Sequence, residues 1–158
     1  VPGAGLGRDP CRTPMQWDTS AYAGFSAHEP WLPVAADADQ INVAVEAPDP
    51  GSILSLYRRL LGMRRQHAAL SIGGYQAVAA DDEILAYIRH TRDERLLIAL
   101  NLGAHSVQLP LDSVGPPRAV LLSTYLDGDT QVTDTHLSLR PNEGVMLALQ
   151  MPSVVAAR

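Results

Sequence analysis

The second half of the chain constrains its fold most. Between Tyr75 and Leu149 lie seven short β-like runs: Tyr75 to Ala79, Ile84 to His90, Leu96 to Leu102, Ser106 to Leu111, Arg118 to Tyr125, His136 to Leu139 and Val145 to Leu149. Turn material separates them, including Arg92-Asp93, Gly115-Pro116-Pro117, Asp127-Gly128 and Pro141-Asn142, residue types that bend a backbone or supply positive φ. Within Ile84 to Ile88 and His136 to Leu139 every second side chain can face a core. Many short strands at this spacing predict an antiparallel β-sandwich or open barrel. The cluster Asp81-Asp82-Glu83 sits at an expected turn and reads as a solvated acidic surface.

Ahead of the strands, the spacing predicts one helix from Gly51 to about Leu70. Ile53, Leu56, Leu60, Met63 and Leu70, with Tyr57 and Leu61 beside them, form one apolar face, as a period of 3.6 requires. Ser52 or Asp49 is the expected cap, Pro50 suits the first turn, and Gly73-Gly74 is the expected stop. His67 is placed at the helix end, where it would interact with the last carbonyls.

The first fifty residues are dense in Gly, Pro and Asp and hold no sustained period, so they read as extended loop with one short helical turn. Half of the eight aromatics fall here, as Trp17, Tyr22, Phe25 and Trp31. Disordered linkers are poor in aromatics, so this segment is expected to be an ordered loop packed on something.

Composition then removes whole classes of function. The 158 residues carry 12 basic groups against 17 acidic ones, a formal charge of -5, opposite in sign to the basic patch of a nucleic-acid binder. No apolar run approaches the roughly 20 residues of a membrane-spanning helix. The single cysteine, Cys11, excludes an internal disulfide and fits a reducing compartment, hence a cytoplasmic expectation; it reads as a small packed thiol. His28, His67, His90, His105 and His136 show no zinc-ligand spacing, so no metal site is expected. Gly3, Gly5 and Gly7 follow no strand and read as flexible loop, not a phosphate cradle.

One segment asks for a chemical explanation: Gly7-Arg8-Asp9-Pro10-Cys11-Arg12-Thr13-Pro14-Met15-Gln16-Trp17-Asp18. Two guanidinium groups, two carboxylates, an amide and an indole stand in a proline-stiffened loop. That combination suits a sugar, whose hydroxyls take directed donors and acceptors while an aromatic covers the C–H face. Internal Arg–Asp pairing in a structural loop is the alternative.

These residues, followed by Ala23-Gly24-Phe25-Ser26, Pro30-Trp31-Leu32-Pro33 and Ile41-Asn42-Val43, resemble the distal part of an α-glucosidase of glycoside hydrolase family 13, the α-amylase superfamily. The text from Asp49-Pro50 through Ser55-Leu56-Tyr57-Arg58-Arg59-Leu60 and Arg64-Arg65 is similar to the last barrel helix of that family. The resemblance implies a mainly β chain: residues 1–72 as a distal (β/α)8-barrel segment with an active-site loop and the last helix, and residues 73–158 as a C-terminal antiparallel β-sandwich domain. It implies a retaining mechanism, with an Asp nucleophile, a Glu acid/base and a further Asp, all expected upstream of Val1. The chain alone is therefore expected to be inactive, with no catalytic residue of its own and no cofactor.

By the same resemblance, Arg12 would help recognise the non-reducing-end glucose, Arg8 and Asp9 would shape the same pocket rim, and Gln16 and Trp17 would anchor the loop. The implied partners are α-glucoside oligosaccharides, met through the full-length enzyme, and the missing barrel. An isolated chain would expose apolar surface that self-association could cover. Trehalose synthases and sucrose isomerases resemble this motif too, so glucosyl transfer is one alternative function. A free-standing sugar-binding or structural β-sandwich is the other, though Tyr75, Tyr87 and Tyr125 are few platforms for a lectin-like strand region.

Overall fold

The computed structural model describes residues 7–80 and 82–152; Gly3, Gly5 and Asp81, read above as loop and turn, lie outside them. Two compact units divide the chain, Val1–Arg58 and Arg59–Arg158. Among the described residues no helix is long and apolar enough to cross a membrane.

In the first unit three single turns replace the one expected. They are two 3-10 helices, Asp9–Cys11 and Ala21–Gly24, and a four-residue helix α1, Val43–Glu46. Helix α1 rests on a side-chain cap, which the two 3-10 turns do not have. Asn42 is buried and caps α1, its Oδ1 accepting the Val45 N–H at 3.0 Å while its Nδ2 donates to the Ala38 carbonyl at 2.9 Å. An apolar α1 of one turn has no periodicity to announce it, which is why the sequence reads as loop.

The expected single helix is two. Helix α2 spans Ile53–Gln66 and α3 spans Ala68–Ile72. Ser52 does cap α2, its Oγ accepting the Ser55 N–H at 3.1 Å. Glu46 contributes a second acceptor, taking the Leu54 N–H at 3.0 Å. Pro50 stays in the preceding turn, outside the helix, because the cap falls at Ser52. The break at His67, which has extended dihedrals (φ -105°, ψ 105°), comes from Glu94 far along the chain. One carboxylate oxygen meets His67 Nδ1 at 2.5 Å and the other accepts the Ala69 N–H at 3.1 Å. His67 therefore starts α3 with its ring against a carboxylate; only its backbone N–H bonds one of the last carbonyls of α2, that of Met63 at 2.9 Å.

All seven expected strands form: β1 Gly74–Ala80, β2 Ile84–His90, β3 Arg95–Asn101, β4 Val107–Pro110, β5 Pro117–Ser123, β6 His136–Leu139 and β7 Gly144–Leu149. Five make an antiparallel sheet in the order β1-β2-β3-β7-β5, and β4 pairs with β6 in a second, two-stranded sheet. The chain is mainly β and antiparallel, as expected. One core joins the sheets, with Ile88, Leu97, Ala99, Val145 and Leu147 from the large one and Leu109, Leu137 and Leu139 from the small. Leu96 and Met146, on the opposite face of the large sheet, are buried too, and α3 packs against β2 and β3. Strand β3 is thus covered on both faces, which is why Leu96 to Leu100 is a continuous apolar run.

Apolar side chains also stand uncovered. No residue of α2 is buried; Leu56, Leu60 and Met63 are half-buried, while Ile53, Tyr57 and Leu61, each one turn apart, are exposed. Met15, Trp17, Ile41 and Val45 add to this surface in the first unit.

Candidate functional site

The arginine-rich loop is built from the backbone outward. The Gln16 and Trp17 carbonyls accept the Val43 and Ala44 N–H groups, both at 3.0 Å, and the Trp17 N–H donates to the Ala23 carbonyl at 2.8 Å. Gln16 also donates its side-chain amide to the Ile41 carbonyl. Residues 16 and 17 are thus bound on both sides. Asp18 closes a turn by accepting from the Ser20 hydroxyl and from its N–H at 2.8 Å, and these bonds, the hydroxyl first, hold its carboxyl below the usual range. Gly24 lies against that carboxylate with φ +67°, where an added Cβ would come within 2.8 Å of it.

From this anchor Arg8, Cys11 and Arg12 project into solvent. The 3-10 turn Asp9–Cys11 closes with Cys11 N–H to Arg8 carbonyl and Arg12 N–H to Asp9 carbonyl bonds, each 3.0 Å, so Asp9 and Arg12 share one face. Their side chains form an ion pair, and the Arg12 side chain keeps 54% of its surface exposed. The Arg12 guanidinium also lies over the indole of Trp31, 5.6 Å from the ring centroid. Arg8 occupies the N-cap position and is exposed. Cys11, expected to be packed, is exposed, because the turn carries it outward with its neighbours. Trp31 is the member of this cluster that the residue-level reading did not single out; its signal is the pair of flanking prolines, Pro30 and Pro33.

Beside the loop, within the first unit, an open groove of about 500 Å³ runs along Thr13 to Gln16, Ile41 to Val43 and the start of α2 at Ile53 and Tyr57. Its walls are mostly apolar. Among the described residues no group of three or more His, Cys, Asp or Glu side chains could hold a metal ion.

In the β unit the tyrosines have partners already. Tyr75 stacks on Tyr87 with ring centroids 5.2 Å apart, and the Tyr125 ring is covered by the Arg140 guanidinium at 4.1 Å. Arg140 in turn binds Asp127 at 2.5 Å and Glu143 at 2.7 Å, and Glu143, 1% exposed, also accepts from the Ser123 hydroxyl at 2.5 Å. Burial pushes the Glu143 carboxyl up, but the bonds from Arg140 and Ser123 outweigh it and hold the group below its ordinary value. Asp127, bonded chiefly by Arg140, is lowered to about 2.

Comparison with known proteins extends this picture. Residues 2–73 match the family described as alpha amylase, catalytic domain, and residues 84–146 match the alpha-amylase SusG C-terminal domain. The chain is 35% identical over 149 residues to an oligo-1,6-glucosidase of Parageobacillus thermoglucosidasius, covering 92% of this chain and 26% of that protein. The chain belongs to the α-amylase superfamily, glycoside hydrolase family 13. Within this superfamily it is also 33% identical over 147 residues to a trehalose-6-phosphate hydrolase of Bacillus subtilis, again covering 92% of this chain and 26% of that one. Among solved structures, the isomaltulose synthase of Klebsiella sp. LX3 superposes with a TM-score of 0.84 at 29% identity, over 91% of this chain and 26% of that one. The chain spans about a quarter of the length of the superfamily relatives it matches.

Proposed function

We propose that this chain is the distal part of a retaining α-glucosidase that hydrolyses terminal α-linked glucose from short oligosaccharides. In this reading it supplies a pocket-rim loop and an accessory β domain, residues 1–72 and 73–158, and holds no catalytic carboxylate of its own. The observation that carries the reading is the anchored loop with an exposed Asp9–Arg12 pair, in a chain whose relatives include oligo-1,6-glucosidases. Arg12 presents a planar fork of donors suited to two neighbouring hydroxyls, and Arg8 and Asp9 complete the rim. Retention needs a nucleophile and an acid/base about 5–5.5 Å apart across the scissile bond, and these come from the upstream barrel. No metal or organic cofactor is required for the double displacement. The apolar groove and the exposed row on α2 are the surfaces that the barrel covers. Location in the cytoplasm belongs to the same reading.

The test is kinetic. Full-length enzyme should release glucose from isomaltose with retained α configuration, visible by NMR in the first turnovers. Arg12→Ala should lower kcat/KM about 10- to 100-fold, the worth of a charge-assisted hydrogen bond. Inverted product, or an R12A enzyme as efficient as the parent, would rule the proposal out.

A second reading is favoured by the likeness to isomaltulose synthase. There the same glucosyl intermediate passes to a sugar acceptor in place of water. Sucrose as substrate separates the two: an isomer as main product supports transfer, free glucose supports hydrolysis. The partnered state of all three strand-region tyrosines weighs against a free-standing lectin-like module.

A further inference from the structure

Trp31 is 77% exposed, so it contributes little to any core, yet it stands between two prolines that stiffen its segment. What it touches is a cation. The Arg12 guanidinium lies 5.6 Å from the indole centroid, within cation–π range, and Nη2 of the same group donates to Asp9. The guanidinium is thereby held near the ring, and one donor is engaged. Five N–H donors project from a guanidinium plane, so the other donors remain on its open edge. An arginine this exposed would otherwise lose much rotamer freedom on meeting a ligand.

We propose that Trp31 is a positioning residue: it holds the Arg12 guanidinium flat and edge-on toward an incoming glucosyl unit, with Asp9 fixing its rotation. The inference rests on the proposed role of Arg12, and it assigns to Trp31 no contact with the reacting atoms. Trp31 acts on binding, through the geometry of the donor fork.

Two measurements test it. In the chain carrying Trp17→Phe, Trp31 is the remaining tryptophan; Arg12→Ala should shift its emission and Arg12→Lys should shift it less. An emission spectrum indifferent to Arg12→Ala overturns the contact. In the full-length enzyme with isomaltose, Trp31→Ala should raise KM about three- to fivefold, the worth of an exposed cation–π pair, with kcat and the unfolding temperature unchanged. Trp31→Phe, which keeps an aromatic face, should restore most of the KM. If Arg12→Ala raises KM and Trp31→Ala does not, the positioning role falls while recognition by Arg12 stands. If Arg12→Ala leaves kcat/KM unchanged, the reading of Arg12 falls first and takes this one with it. A Trp31→Ala enzyme that melts early with KM intact makes the indole a structural residue and also overturns the proposal.

Discussion

Gly24 shows how little room the loop leaves at single positions. Its φ of +67° and the Asp18 carboxylate 2.8 Å from a virtual Cβ penalise any side chain twice, by dihedral strain and by collision. Gly24→Ala should cost about 1–3 kcal/mol, read as a lower thermal midpoint, with Asp18→Ala in the same background recovering part of the loss. Asp9 and Arg12 stood out in the sequence only as members of one charge-rich segment; their pairing follows from the turn at Asp9–Cys11, which sets residues three apart on one face. Trp31 was not legible as their neighbour: nineteen residues and no period separate it from Arg12, and only three-dimensional contact joins them. Cys11 was misjudged for a related reason. Its packing depended on which way a single turn of backbone faced, and that is fixed by the anchoring of residues 16 and 17 to α1.

Elements were legible where a period existed. The strands repeat every two residues against one face, and β2 and β6 begin and end where the sequence placed them. The division of α2 from α3 has no such signal, since it depends on Glu94 in the turn between β2 and β3. Glu94→Ala should remove the acceptor at the start of α3 and cost about 1–2 kcal/mol, with amide exchange at Ala69 quickening first. The network on Arg140 joins the end of β5 to the turn before β7 and gives the β unit an acid limit. The folded carboxyls of Asp127 and Glu143 titrate below their unfolded values, so between those values the unfolded chain binds more protons and stability rises with pH. The contribution is complete above the unfolded carboxylate range, near about 4, and that from Asp127 is lost as pH falls through about 2. Asp127→Asn should flatten its share of this slope in an acid titration followed by circular dichroism. Glu143→Ala, which leaves Arg140 its pair with Asp127 but removes the acceptor of the Ser123 hydroxyl and of one edge of the guanidinium, should cost about 1–3 kcal/mol at neutral pH.

For the whole molecule the question is what covers Ile53, Tyr57, Leu61, Met15 and Ile41, all exposed. A chain of 17.0 kDa with this surface should bind a hydrophobic dye and sediment above its monomer mass, and the native polypeptide, detected in its own cells with an antibody against the β unit, should be heavier by about a barrel, 200 residues or more. A dye-silent monomer of native mass near 17.0 kDa would remove the need for a missing partner. Sequence alone conveyed that the helix had an apolar face; it carried no measure of how much of that face the chain could bury by itself, because burial is a property of the assembled neighbours.

The two outer strands of the large sheet are both irregular. Register slips between Ala77 and Ala79 in β1, and twice in β5, which opens on Pro117. Bulges and an edge proline spoil the row of free backbone groups that another strand would need. A sheet ended in this way is a tile with finished borders. It can be joined to a new neighbour by its chain without joining to a stranger by its rim, and so carries little risk of seeding fibres.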